Sequence, residues 1–305
     1  MSSHHNHGHA HAQHHAPSSF NWAFSIAVAL NFTFVVLESI YALSANSMSL
    51  LADAAHNFGD VFGLLLAWGA NWLLSFPARK RYSYGYKRMT ILASLANALI
   101  LVATAAMIAL EAFYKLFHLS TVNEKTVIIV ALIGILVNGG TALLFMRGSH
   151  HDLNIKGAFL HLAADAFISA GVVLAGLLIW YTQQFWLDPA ISLIIVFIIL
   201  WSTWQLLRDS VSLLIDAIPH YIDHTGIKTY LSQLNGVVTV HDLHIWGLST
   251  RETALTAHLV MPDLRLSDSD FEKINTHLKE NFRIDHATLQ VETGSNAFPC
   301  EGCAE

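Results

Sequence analysis

Hydrophobic residues make up 54% of the 305-residue chain and charged residues only 12%, against about 25% charged residues in an average soluble domain. A chain of this composition cannot cover itself with polar surface, which excludes an ordinary soluble protein and indicates a membrane protein. The formal net charge of -6 at pH 7 gives no support to nucleic-acid binding.

The N-terminal segment, residues 1–19, is rich in histidine: seven of the 19 histidines lie between His4 and His15. It has no hydrophobic periodicity on which to fold, so we predict a disordered tail. Neutral imidazole is a good ligand for transition metals, and the composition therefore favours metal binding. An expression tag is the alternative, although the interleaved Asn, Gly, Ala and Gln are not typical of one.

Six apolar segments follow, and each approaches or exceeds the roughly 20 residues that a helix needs to cross a bilayer. They cover residues 20–45, 49–76, 89–117, 127–146, 155–181 and 188–207. We predict six transmembrane helices in a domain of residues 20–209. A cleaved signal peptide is the alternative for the first segment, which is longer than the usual apolar core and lacks a cationic start.

The loops between these segments predict their orientation. The loop after the second segment contains five Lys or Arg residues between positions 79 and 88, and the region after the fourth contains Arg147 and Lys156. The loops on the opposite side carry fewer. Because excess Lys and Arg marks the cytoplasmic side, we predict that both termini are cytoplasmic.

Two of the apolar segments carry the same His-x-x-x-Asp pattern. His56 and Asp60 lie in the second segment, and His161 and Asp165 lie in the fifth. Residues four apart share one face of a helix, so two facing helices would present two imidazoles and two carboxylates. This is a complete tetrahedral ligand set for a divalent cation such as zinc.

Two other interpretations use the same four residues. Ionisable side chains at membrane depth are costly and mark ion pathways, and a proton relay without metal is one such pathway. A purely structural role, with hydrogen bonds to neighbouring helices, would require a separate partner for each carboxylate. Asp53 lies on the same helical stripe as His56, and its role stays open.

The composition becomes that of a soluble domain after Asp209. The predicted elements are a helix after Pro219, strands at residues 237–249, 253–261 and 285–292, and a second helix that starts at Ser267 with a capping box to Asp270. The order α, β, β, α, β predicts a small α+β open-faced sandwich formed by residues 210–295.

The last ten residues, 296–305, contain the two cysteines of the chain, Cys300 and Cys303. Two cysteines so close together do not form a disulfide framework, which indicates a reducing compartment for this end. Their C-x-x-C spacing could supply thiolates to a metal. A redox pair and an unstructured tail are equally compatible with it.

Several motifs together resemble the cation diffusion facilitator family, and within it the bacterial zinc exporters of the cobalt-zinc-cadmium resistance type. The matching residues run from Ser49 to Asp60, from Tyr84 to Arg88 and from Gly157 to Asp165, and include Asp188-Pro189 and His241 to Trp246. The similarity covers about residues 20–295, nearly the whole chain.

The resemblance implies a homodimeric transporter with six spans per protomer and a metallochaperone-like, ferredoxin-like cytoplasmic domain. It implies export of zinc from the cytoplasm in exchange for protons. In the family, histidine at the position of His56 accompanies zinc preference, whereas manganese-type members have aspartate there. The chemistry agrees, because two imidazoles suit zinc, cobalt or cadmium and an all-oxygen set suits manganese.

The resemblance also places a regulatory metal in the cytoplasmic domain, at positions matched by His241, His258, His286 and Glu292, with His244 as a further candidate. Solvated histidines on an exposed sheet face are the alternative. A metal site that some members have in the loop after the second span is not expected here. That basic loop is expected to face the membrane or to pair with an acid such as Asp209.

The sequence therefore predicts a zinc/proton antiporter of a bacterial inner membrane, with zinc as cargo, protons as counter-ion, and a second protomer and the bilayer as partners. Cobalt, cadmium or nickel as the main ion is an alternative. No nucleophile elbow, phosphate loop or catalytic triad indicates an enzyme. A membrane metallohydrolase would keep an open zinc position instead of four ligands. A membrane-anchored metal sensor would leave the buried ionisable residues without a purpose.

Overall fold

The computed structural model describes residues 22–146, 153–262 and 266–294. Within these ranges, six long helices are followed by a smaller part that has two short helices and a three-stranded sheet. This is the predicted fold class, a mainly helical membrane domain followed by a small α+β domain. The prediction is confirmed at that level.

The six long helices agree with the apolar segments to within a few residues at most ends. They are α1 (Trp22–Ala45), α2 (Met48–Leu74), α3 (Met89–Phe117), α4 (Glu124–Met146), α5 (Leu153–Thr182) and α6 (Leu187–Leu214). The exception is α6, which continues past its predicted end at residue 207 to Leu214. Hydropathy falls at Arg208 and Asp209, but polar residues continue a helix that has left the apolar layer.

Four of the described helices have spans long and apolar enough to cross a membrane, in α3, α4, α5 and α6. The apolar part of α1 that the structure describes is shorter, Ala29–Ala45. The apolar sequence of the remaining long helix, α2, is interrupted by the polar residues Asp53, His56, Asn57 and Asp60. Other helices enclose the part of α2 that contains them.

The enclosure of α2 is visible in its neighbours, since it contacts α1, α3, α5 and α6. The approach to α3 is close at two glycines: a Cβ on Gly59 would lie 2.1 Å from a Leu101 methyl, and one on Gly63 would lie 2.7 Å from the Asn97 amide. On the outside of the domain, large apolar side chains such as Phe167 and Trp201 are exposed. Such a surface is typical of contact with lipid.

One carboxylate fixes the beginning of α2. Asp188, in the first turn of α6, is completely buried and accepts hydrogen bonds from the Ser47 and Ser49 hydroxyls, both at 2.6 Å. It also accepts from the backbone N–H groups of Met48 and Ser49. The N-terminus of a helix has unpaired N–H groups and a partial positive charge, so a buried anion stabilises it.

The C-terminal domain contains α7 (His224–Ser232), β1 (Thr239–Gly247), β2 (Thr253–Val260), α8 (Asp268–Phe282) and β3 (His286–Glu292). The strand order is β1-β2-β3, with β1 antiparallel and β3 parallel to β2. The buried core joins both helices to the sheet through Leu231, Leu255 and Leu278. The predicted sequence of elements is therefore found.

The predicted capping box at the start of α8 is present. The Asp270 carboxylate accepts hydrogen bonds from the Ser267 N–H at 3.1 Å and from the Ser267 hydroxyl at 2.7 Å. These bonds hold the pKa of Asp270 below its ordinary value, because they favour the ionised form.

The loop between α2 and α3 contacts the C-terminal domain. Lys87 forms an ion pair with Glu252, and the Thr250 N–H donates to the Thr90 hydroxyl at 3.1 Å. Arg88 pairs with Asp216 at 2.6 Å, not with the suggested Asp209, because the extension of α6 carries the chain about two turns further. The C-terminal end of α2 is thus the end of the membrane domain that faces the C-terminal domain.

Candidate metal site

The two His-x-x-x-Asp pairs lie on facing surfaces of α2 and α5. On α2, the His56 Nδ1 atom is 3.8 Å from the Asp60 Oδ2 atom. On α5, the His161 Nε2 atom is 3.7 Å from the Asp165 Oδ2 atom. Each pair is thus joined by the helical spacing that the sequence predicted.

The packing of α2 against α5 closes the group. The His56 Nε2 atom is 3.4 Å from Asp165 Oδ1, and the His161 Nε2 atom is 3.4 Å from Asp60 Oδ2. The two imidazole rings are 6.2 Å apart, nearly perpendicular to one another. Each histidine therefore lies beside both carboxylates.

These distances fit a tetrahedral cation. Zinc bonds to nitrogen and oxygen ligands of about 2.0–2.2 Å place neighbouring ligand atoms about 3.3–3.6 Å apart. Ligand atoms of His56, Asp60 and Asp165 all lie within 4.8 Å of one another, and His161 Nε2 lies 3.4 and 3.7 Å from oxygens of the two aspartates. His161 lies outside the group of three, so its side chain would have to move closer to His56 to complete a set of four ligands.

Buried atoms without partners lie in the same cluster. His56 Nδ1, Asp60 Oδ2 and Asp165 Oδ1 are buried and have no hydrogen-bond partner within the described part of the chain. Leaving a buried polar atom unsatisfied costs about 1–3 kcal/mol. A bound cation would satisfy the two carboxylate oxygens, and a proton or a cation would satisfy the nitrogen.

The cluster is enclosed on one side and open on the other. The Asp165 side chain is only 5% exposed, whereas the His161 side chain is 49% exposed. His161 is thus the exposed part of the cluster and Asp165 its buried part.

A second group of titratable residues lies on the sheet of the C-terminal domain. His241 on β1 is directly opposite His258 on β2, and their rings are 5.1 Å apart. Glu292, at the end of β3, is 3.2 Å from His241 Nε2 and 2.8 Å from His258 Nδ1. The structure thus brings together three of the four residues suggested for a cytoplasmic site.

Asp242 joins this group, although the sequence analysis did not include it. One of its oxygens is 3.4 Å from His258 Nε2, and the other is 2.8 Å from His244 Nε2. The pairing of β1 with β2 shifts between His241 and His244, and Asp242 has a positive φ of 51° there. The bulge directs neighbouring residues to the same side, which strict alternation would not predict. The acid between two histidines was the signal available in the sequence.

His286 lies elsewhere on the sheet. It pairs with Ala254 at the start of β3, and its ring is 5.9 Å from the ring of Tyr84 in the α2–α3 loop. An extended strand rises about 3.3 Å per residue, so His286 and Glu292 are separated by about 20 Å. The structure does not bring His286 into the cluster of His241, His258 and Glu292. Cys300, Cys303 and the histidine-rich residues 1–19 lie outside the described residues.

A group of two histidines and two aspartates inside a helical membrane domain is typical of membrane proteins that handle divalent cations. Residues 25–215 match the family described as "Cation efflux transmembrane domain". Residues 219–294 match the family described as "Cation efflux protein, cytoplasmic domain". The chain belongs to the cation efflux, or cation diffusion facilitator, family. Its members are transporters and not enzymes, as the sequence predicted.

Several metal transporters are similar to this protein over nearly the whole chain. The "Metal cation efflux system protein CzcD" of Cupriavidus metallidurans is 31% identical over 94% of this chain and 90% of its own length. A "Cadmium, cobalt and zinc/H(+)-K(+) antiporter" of Bacillus velezensis is 33% identical over 95% of this chain and 96% of its own. The "Zinc transporter ZitB" of Pectobacterium atrosepticum is 30% identical over 87% and 83%.

Proposed function

We propose that this protein exports zinc from the cytoplasm in exchange for protons, and that each ion binds to His56, Asp60, His161 and Asp165. The observation that carries the proposal is the closed group of two imidazoles and two carboxylates between α2 and α5. Relatives that are named as zinc transporters and as a metal/proton antiporter support it.

The ligand chemistry favours zinc over manganese. Two imidazole nitrogens suit zinc, cobalt or cadmium, whereas manganese and magnesium prefer oxygen ligands. Cobalt or cadmium as the main cargo is the second candidate, because a relative is named for all three metals and the ligand set accepts each of them. Competition between the metals in transport separates these two candidates.

Charge balance supplies a route to exchange. A doubly charged cation bound by two ionised aspartates and two neutral histidines leaves the group neutral. Two imidazolium groups beside the same aspartates are also neutral, and each histidine lies within 3.8 Å of both carboxylates. Metal binding requires deprotonated histidine, so cation and protons compete for one place.

The C-terminal cluster is proposed as a regulatory metal site formed by His241, His258 and Glu292, with Asp242 as a further ligand. Their ligand atoms, apart from Asp242, all lie within 4.8 Å of one another. The C-terminal domain is also proposed to join two protomers into a homodimer. His286 and the cysteines Cys300 and Cys303 stay weaker candidates for metal binding.

The orientation of the protein, its location and the role of its N-terminal tail are further parts of the proposal. Both termini are proposed to be cytoplasmic, in a bacterial inner membrane, with the domain boundaries predicted from the sequence. The tail of residues 1–19 would capture zinc and raise its concentration near the membrane domain. Deleting residues 1–16 should then lower the apparent affinity at scarce zinc and leave the maximal flux unchanged, whereas a lower maximal flux would contradict this role.

Transport in proteoliposomes with a pH gradient tests the main proposal. The wild type should accumulate zinc with proton counterflow and should discriminate against manganese. Asp60→Ala and His161→Ala should lose this flux, because each removes one ligand. Asp209→Ala and His118→Ala make the same chemical changes outside the cluster and should keep it. Zinc–proton exchange at the wild-type rate by both ligand variants would show that the site is wrong.

Zinc-binding measurements on the full chain test the C-terminal cluster. In an Asp60→Ala background, which removes the membrane site, the zinc ion of the C-terminal cluster should be lost in His258→Ala. It should be kept in His286→Ala, because His286 lies at the other end of its strand. Equal loss in both variants would mean that His286 is a ligand in the assembled protein.

A further inference from the structure

A second polar group lies inside the membrane domain and is separate from the metal ligands. Its members are Glu38 on α1, Asp53 and Asn57 on α2, and Ser169 on α5. Glu38, Asp53 and Ser169 are completely buried, and Asn57 is nearly so. Two acidic side chains without solvent access need a physical reason to be there.

The hydrogen bonds within this group join three helices. The Asn57 amide donates to Glu38 Oε2 at 3.2 Å and lies 3.5 Å from Asp53 Oδ1. The Ser169 hydroxyl donates to Asp53 Oδ2 at 2.7 Å. The Asn57 amide thus lies between the carboxyl groups of Glu38 and Asp53, and the two acids act on each other electrostatically.

The closeness of these two buried carboxyl groups to the same Asn57 side chain indicates a proton. An ionised carboxylate only accepts hydrogen bonds, so it cannot donate one to its neighbour. Glu38 Oε1 is buried and has no donor among the residues that the structure describes. Like charges at this separation, out of water, cannot both ionise without a large cost.

Among the described residues, the basic side chain that acts on this pair is His56, a member of the metal cluster, and no Lys or Arg acts on it. On α4, which also packs against α1, residues 126–146 contain no Asp, Glu, His, Lys or Arg. On α2 and α5, the charged groups that act on Asp53 are His56 and Asp165, both members of the metal cluster. A shared proton is thus the local means of reducing the negative charge.

The polar group lies close to the candidate metal ligands along α2 and α5. Asp53 precedes His56 by three residues on α2, and Ser169 follows Asp165 by four residues on α5. The C-terminal end of α2 faces the C-terminal domain, and α5 runs in the opposite direction. Asp53 and Ser169 therefore lie at the same depth in the membrane domain. This depth is about one helical turn, or 5 Å, from the metal ligands, on the side away from the C-terminal domain.

We propose that Glu38, paired with Asp53, is a proton-binding site of the transport path, one helical turn beyond the metal ligands. This inference rests on the proposed exchange of metal for protons. One O–H bond forms on Glu38 when a proton arrives, and it breaks when the proton leaves. A doubly charged cation one turn away favours its loss, so metal binding and proton release at Glu38 are linked.

The number of protons released on zinc binding tests the proposal. It is measured by calorimetry of the full-length protein in buffers of different ionisation enthalpy. Glu38→Gln keeps the shape of the side chain and removes its proton site. The variant should still bind zinc and should release about one proton fewer per ion. Glu111→Gln makes the same change on α3, outside the polar group, and should match the wild type.

Infrared spectroscopy gives a second readout on the wild-type protein itself. A protonated-carboxyl band should be present without zinc, should weaken when zinc binds, and should be missing in Glu38→Gln but not in Glu111→Gln. Asp53→Asn tests the pair from α2 if Glu38→Gln does not fold. Unchanged proton release in a folded variant, or a wild-type band that zinc does not alter, would overturn the proposal. Failure of antiport would show separately, as metal uptake by wild-type proteoliposomes without proton counterflow.

Discussion

Replacement of Asp188 by asparagine tests how strongly the packing of α6 determines the position of α2. The side chain accepts four hydrogen bonds, three on Oδ1 and one, from the Met48 N–H, on Oδ2. In Asp188→Asn, an oxygen can keep the first three, but an NH₂ group then faces the Met48 N–H. Two donors meet, and the negative charge at the start of α2 is lost.

The size of the effect follows from these two losses. A buried hydrogen bond to a charged group contributes about 1.5–3 kcal/mol. The interaction of a partly buried charge with a helix terminus contributes up to about 2 kcal/mol. We therefore expect Asp188→Asn to lower the free energy of unfolding by about 2–5 kcal/mol.

Unfolding of the full-length protein in mixed detergent micelles, followed by helical circular dichroism, measures this change. Ser47→Ala removes a single donor and should cost about 1 kcal/mol. Asp209→Asn makes the same chemical change on α6 at a partly exposed position and should stay within about 0.5 kcal/mol of the wild type. A loss below about 1 kcal/mol for Asp188→Asn would refute the argument that this carboxylate stabilises the start of α2.

Three further predictions concern other parts of the molecule. Asp165→Asn should abolish zinc–proton exchange but raise the midpoint of metal-free thermal unfolding, because it removes a buried charge with an unpaired oxygen; a lower midpoint would contradict this. A double-mutant cycle on Lys87 and Glu252 should give a coupling below about 1 kcal/mol that weakens with salt, since both side chains are about one-third exposed, and a coupling above about 2 kcal/mol would be too large for this explanation. Ser267→Ala should lower the midpoint of unfolding of the C-terminal domain at pH 7. Its effect should fade as the pH drops below the ordinary Asp270 value of 3.8 and through its lowered pKa, because a depressed pKa adds stability only while the acid is ionised; an effect independent of pH would exclude the bond to Asp270 as its cause.

The membrane domain shows which features depend on local sequence. Hydropathy predicts the spans because the bilayer acts on each segment separately. Hydropathy does not predict the end of α6, because the helix continues through the polar residues Arg208 and Asp209 beyond the apolar layer. The spacing of His56 to Asp60 and of His161 to Asp165 determines that each pair shares a helical face, and the structure has both pairs on facing surfaces of α2 and α5.

The contacts within the C-terminal domain depend on more than the local sequence. Alternation predicts the strands, but it does not predict their register or the bulge in β1. The register places His258 beside His241, and the bulge brings Asp242 to the same group. His286 is on the same strand as Glu292, yet the strand carries it to the α2–α3 loop and Tyr84.

The sequence by itself determined the kind of protein and the fold class, and it predicted six spans and the four residues of the candidate metal site. These features depend on composition and on spacings within one helix or strand. Only the tertiary structure decided that Arg88 meets Asp216 and that Asp188 caps α2. It also placed Glu38 beside Asp53, because such contacts depend on which helices become neighbours and at what height, and residues far apart in the chain decide both.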